Sequence, residues 1–101
     1  MTLHARDRAA ERYGVALDAA DCRDVDRSIR WGGPHALPLG QRPSGADLYA
    51  LRYGGHWLAG VVIGPPARRR IVTFLPASYL REHLPRIAEH EAAGPVQEVA
   101  R

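Results

Sequence analysis

The sequence contains no lysine: all 14 basic residues among its 101 are arginine. Together with the many alanines, glycines and prolines, this points to a GC-rich coding genome rather than to a chemical requirement. There is one cysteine, Cys22, which excludes an intramolecular disulfide and a cysteine-based zinc site and fits a reducing compartment. No apolar run approaches the roughly 18 residues of a membrane span, and the opening "MTLHARDRAAERYG" lacks the apolar segment of a signal peptide. The expectation is a cytoplasmic protein with no membrane contact. Glycine-rich phosphate loops of the Walker or dinucleotide kind are also missing, and no two histidines take metal spacing on a helix with an acid between them. Neither a metal nor an organic cofactor is expected.

The composition is 46% hydrophobic and 25% charged, ordinary for a globular chain of one compact domain. A chain of this length buries a modest core without a disulfide or metal staple. The formal net charge of +3 permits phosphate binding without demanding it.

Residues 3–13 read as a helix with Thr2 as N-cap and Gly14 as its stop. Leu3, Ala5, Ala9, Ala10 and Tyr13 gather on its apolar side, with His4, Asp7, Arg8, Glu11 and Arg12 opposite. A second helix covers about residues 19–31, with Asp18 as cap, Asp21 in the first turn, and an apolar stripe of Cys22, Val25 and Ile29. A long Gly/Pro loop, "GGPHALPLGQRPSGAD", follows. The strands "DLYALRY" and "HWLAGVVIG" flank a Gly54-Gly55 hairpin signal, and "RRRIVTFLP" forms a further strand with Ile71, Thr73 and Leu75 on one face and Val72 and Phe74 on the other. "ASYLREHL" makes a short helix interrupted at Pro85, and "EAAGPVQEVAR" reads as a frayed end. The expected fold is α+β: two N-terminal helices on a three- to four-stranded antiparallel sheet, then a short C-terminal helix. One domain spans residues 1–85, with 86–101 as helix end and tail.

His4, Arg8 and Arg12 follow one another at spacings of four, forming a ridge along the first helix. Histidine exchanges a proton near neutral pH, whereas arginine offers a fixed fork of donors for phosphate. One group to move protons and two to hold an anion make a minimal kit for phosphodiester cleavage without metal. Thr73 can grip a phosphate oxygen or simply fill a strand position. Arg68, Arg69 and Arg70 add a basic rim, with Arg52 as a further nucleic-acid contact, and Tyr49 and Tyr53 share a strand face on which bases can stack. Cys22 reads as a core residue, His35 as a solvated loop residue, and His83 and His90 as facing solvent.

The combination of "HARDRAAERYGV", a second helix ending in glycine, "YALRYGG" and "RRRIVTFLP" resembles small bacterial and prophage proteins of the RelE/ParE-like toxin group, within the barnase–EndoU–colicin–RelE assemblage of metal-independent ribonucleases. The resemblance covers about residues 3–76. It implies a toxin-type endoribonuclease acting on RNA and neutralised by a cognate antitoxin or immunity protein. It also implies a site where His4 acts as general acid or base, Arg8 or Arg12 stabilises the phosphorane, and Thr73 positions the phosphate. The alternatives are a non-catalytic nucleic-acid- or protein-binding module of the same fold, and a phage accessory or structural protein.

Overall fold

The computed structural model describes the backbone of residues 1–32, 35–53 and 55–99, with side chains described through residue 92. Helices α1 (Leu3–Tyr13) and α2 (Ala19–Trp31) precede strands β1 (Ala36–Gln41), β2 (Asp47–Tyr53), β3 (His56–Ile63) and β4 (Arg70–Leu75). A 3-10 turn (Pro66–Arg68) sits between β3 and β4, and a longer 3-10 segment (Ala77–His83) leads into α3 (Leu84–Val99). The strands form one antiparallel sheet in the order β1-β2-β3-β4, so the fold is α+β.

Local chemistry fixes both leading helices. The Thr2 hydroxyl accepts from the Ala5 N–H at 3.1 Å, and Gly14 takes φ 67°, where a side chain would be strained. Asp18 and Asp21 form a reciprocal capping box at the start of α2, at 2.8 and 3.0 Å. Cys22, Val25 and Ile29 are buried, as their spacing requires, whereas Leu3, expected on the apolar side of α1, is exposed.

Both faces of the sheet are covered. Ala5, Ala9, Val25 and Ile29 pack with Leu51, Leu58, Val62, Ile71 and Phe74 on one face. Leu39, Ala50 and Ala59 pack with Leu80 and Ile87 on the other. The second core reaches beyond residue 85, into the stretch expected to hold the helix end. Ile87 is 3% exposed, so the folded unit runs past Pro85 into α3. Pro85 is the second residue of that helix, where its missing N–H has no helical partner to lose. The helix then continues to Val99, through the segment expected to fray.

Two bulges re-phase the strands. The stretch expected to be loop contains β1, whose pairing with β2 skips Leu39 between Pro38 and Gly40. On β4, Thr73 pairs with Val61 but Ile71 pairs with Val62, leaving Val72 as the extra residue. This overturns the simple alternation: Ile71 joins Phe74 on the α1/α2 face, and Thr73 joins Leu75 on the opposite one. In the β2–β3 hairpin Tyr53 pairs with His56, while Gly54 lies outside the described residues.

Candidate functional site

Helix α1 lies alongside the edge strand β4 and runs in the same direction. At its start, the Thr2 N–H reaches the Ile71 carbonyl at 3.3 Å and the Thr2 hydroxyl donates to the Val72 carbonyl at 3.1 Å. The bulge makes this double contact available, because it turns two successive carbonyls away from the β3 ladder. At the other end, Arg12 Nη1 donates to the Phe74 carbonyl at 2.8 Å. The Tyr13 hydroxyl donates to the Leu75 carbonyl at 2.5 Å and accepts from the Ala59 N–H at 3.1 Å. Ala59 and Leu75 are a registered pair, so the phenol bridges β3 and β4 where their ladder ends. Burial pushes the Tyr13 phenol above its ordinary pKa, opposed by the Ala59 N–H and the Arg12 charge.

These clamps place the ridge. Arg12, tied to β4, marks its inner end. Arg8 is half-buried and forms an ion pair with Glu11. His4 is exposed and makes no hydrogen bond or ion pair with another described residue. A step of four residues overshoots one helical turn by about 40°, so His4 lies about 80° round the helix from Arg12. The three basic side chains therefore wind from the strand edge toward solvent. Thr73 stands on β4 beside this ridge, but its side chain belongs to the sheet face that α1 does not cover. Its hydroxyl has no partner among the described residues. The structure thus aligns His4, Arg8 and Arg12 along one edge and does not bring Thr73 onto their side of the sheet.

The expected basic rim divides in two. Arg68 and Arg70 are exposed, whereas Arg69 donates to the Tyr49 hydroxyl at 2.6 Å and to Asp47 at 2.8 Å. Arg52 pairs with Glu91 of α3 at 3.1 Å, and Trp57 Nε1 donates to the same carboxylate at 2.7 Å. Arg69 and Arg52 are thus held by carboxylates within the fold, which leaves Arg68 and Arg70 as the open members of the rim. Of the tyrosines proposed to stack on bases, Tyr49 is buried and Tyr53 donates its hydroxyl to Asp21. That hydrogen bond holds the Tyr53 phenol up to about 12 and the Asp21 carboxyl below its ordinary value. The histidines expected to face solvent are more enclosed than that. His83 is half-buried beside Glu82 at 3.4 Å, and His90 meets Trp57 edge-to-face at 6.0 Å.

A cleft of about 520 Å³ opens between α2 and the β2–β3 end of the sheet, lined by Asp24, Arg27, Ser28, His35 and Tyr53 over Val25 and Leu51. Its volume suits a small ligand. Two of its polar groups are spent inside the fold: Ser28 donates to the Asp24 carbonyl at 3.0 Å, and Tyr53 is bound to Asp21. Among the described residues, no three metal-ligating side chains cluster.

Sequence reasoning passed over the outer face of α2, where Arg23, Arg27 and Arg30 surround Trp31, which is 80% exposed. The signal was the arginine spacing of four and three on the side opposite Cys22, Val25 and Ile29. No helix of the described residues is long and apolar enough to cross a membrane. No family model, curated protein or solved structure matches the chain.

Proposed function

We propose that the chain is a metal-independent ribonuclease-type domain that handles RNA at the α1–β4 edge. The observation that carries this reading is the alignment of α1 along β4, which ranges an unpartnered imidazole and two guanidinium groups, one of them anchored to β4, along one accessible border. Arg12 spends part of its donor set on the Phe74 carbonyl, and such anchoring fixes its remaining N–H groups where a phosphate can meet them, whereas Arg8 shares its charge with Glu11 on the helix surface. His4 takes the proton of a ribose 2′-hydroxyl. The freed oxygen attacks the adjacent phosphorus, and the 5′-oxygen departs and is reprotonated from water. The guanidinium groups offset the charge that builds on the phosphorane. A cognate antitoxin or immunity protein would neutralise the domain by masking this border.

A second reading, a binding module that performs no chemistry, is favoured by one specific observation. Thr73 belongs to the opposite sheet face, which leaves the ridge without the hydroxyl that the family resemblance assigns to it. One experiment separates the two. Wild type and His4→Ala are incubated with RNA in the presence of a chelator, and the products are resolved on a denaturing gel. The proposal expects metal-free cleavage that falls at least a hundredfold in His4→Ala, with an unchanged melting temperature because the imidazole is exposed. Equal cleavage by both proteins, or intact RNA with wild type, refutes it.

A further inference from the structure

The outer face of α2 carries a feature that the α1–β4 edge does not use. Arg23, Arg27, Arg30 and Trp31 fall at i, i+4, i+7 and i+8, so they share the side of the helix turned away from Cys22, Val25 and Ile29. At 80% exposure, Trp31 leaves nearly its whole indole in water, although aromatic side chains normally bury about 150–250 Å². The other exposed large apolar side chains, Leu3, Ile63, Tyr79 and Leu84, belong to other elements. Among the described residues, the side chains that share the recess with the indole are charged: Arg23, Asp26, Arg27 and Arg30.

That charge is positive and largely uncommitted. Arg23 makes no hydrogen bond or ion pair with a described residue. Arg27 lies 3.9 Å from Asp24, both well exposed, which is a weak pairing. Arg30 donates through Nε to the Arg69 carbonyl at 3.0 Å, which anchors the arm of the side chain beside the Pro66–Arg68 turn. This bond joins the end of α2 to the arginine run, so exposed Arg68 extends the same surface. The nearby acid Asp26 is paired with the Met1 amine at 2.6 Å. A recess of about 200 Å³ lies within the patch, lined by Arg23, Asp26, Arg27, Arg30 and Trp31.

We infer that this face is a binding surface for single-stranded RNA, with a base stacked on Trp31 and the flanking phosphates held by Arg23, Arg27, Arg30 and Arg68. An isolated indole among guanidinium groups suits a ligand that presents a flat face between two negative charges, which is the repeat of a single strand. A protein partner would call for an apolar centre around the tryptophan, and the described residues that line the recess with it are all charged. The inference concerns binding alone and holds whether or not the α1–β4 edge cleaves.

The test is a fluorescence titration with a 2′-O-methyl RNA dodecamer, which lacks the hydroxyl needed for cleavage and so stays intact throughout the titration. The chain has two tryptophans, Trp31 and Trp57, and the second is half-buried against Glu91. Binding should quench the emission of wild type and leave that of Trp31→Phe nearly unchanged. Trp31→Ala should weaken binding at least tenfold by filter retention. With four phosphate contacts, raising salt from 50 to 200 mM should weaken wild type by about fiftyfold. Arg23→Gln combined with Arg27→Gln should flatten that dependence. Equal affinity of wild type and Trp31→Ala overturns the proposal. So does a polyglutamate that quenches as strongly as the RNA, since that outcome indicates an acidic protein partner.

Discussion

Replacing Tyr13 by phenylalanine tests whether α1 is fastened to the sheet as the structure shows. The substitution keeps the ring and removes the hydroxyl, which donates to Leu75 and accepts from Ala59. Ala59 is fully buried, so its N–H loses its partner without gaining water, at a cost of about 1–3 kcal/mol. The Leu75 carbonyl is half-buried and loses a hydrogen bond worth about 1 kcal/mol. Together these give about 2–4 kcal/mol, a large part of the roughly 5–15 kcal/mol available to a domain. At roughly 4–8 °C per kcal/mol, the melting temperature should fall by about 8–32 °C. Urea denaturation followed by circular dichroism gives the free energy, and hydrogen exchange at the Ala59 amide gives the location. Tyr79→Phe, at an exposed hydroxyl with no hydrogen bond to a described residue, serves as control and should stay within about 0.5 kcal/mol. If Tyr13→Phe is as mild as the control and the Ala59 amide keeps its protection, the bridge does not hold α1 to β4.

Asp18→Ala removes one arm of the α2 capping box and should cost about 1 kcal/mol of unfolding free energy in urea denaturation, with Asp18→Ser recovering most of it. The Tyr53–Asp21 hydrogen bond should appear in the pH dependence of stability. Because the folded phenol is raised to about 12, its contribution is complete below pH 10 and is lost as pH climbs from 10 toward 12. Asp21 gives the mirror image: its folded pKa is depressed, so its contribution is complete above the ordinary value of 3.8 and fades as pH falls below it. Tyr53→Phe should flatten the alkaline limb and shrink the acid one. Superimposable pH profiles for the two proteins would refute the assignment.

What the sequence revealed, and what it hid, follows from the range of the interactions. Thr2, Gly14, Asp18 and Asp21 act within four residues of their partners, so both leading helices could be read to the residue. Strand β1 was hidden because Pro38 and Gly40 imitate a loop, and only pairing with β2 makes those residues extended. The bulge at Val72 is a single extra residue with no composition of its own, yet it puts Ile71 and Thr73, expected on one face, on opposite faces of the sheet. Pro85 looked like a break because its position in the helix decides its effect, and that position depends on where Leu80 and Ile87 pack. At the candidate site the spacing of His4, Arg8 and Arg12 was plain, but their drift around α1 matters only once β4 fixes which side of the helix is inward. Arg52 and Arg69 show the same limit. Their charge was legible, and the carboxylates of Glu91 and Asp47 that hold them were not.

The two outer margins of the sheet are both closed to a visiting strand. Along β4, Thr2, Arg12 and Tyr13 occupy carbonyls that an added strand would need. Along β1, Pro38 has no N–H to offer, the Leu39 bulge breaks the rhythm, and Arg86 caps the Pro38 carbonyl at 2.9 Å. Such protected borders discourage stacking into fibres or exchange of strands between copies. Recognition by this molecule therefore falls to side chains, and engineered partners should be sought among ligands that need no main-chain pairing.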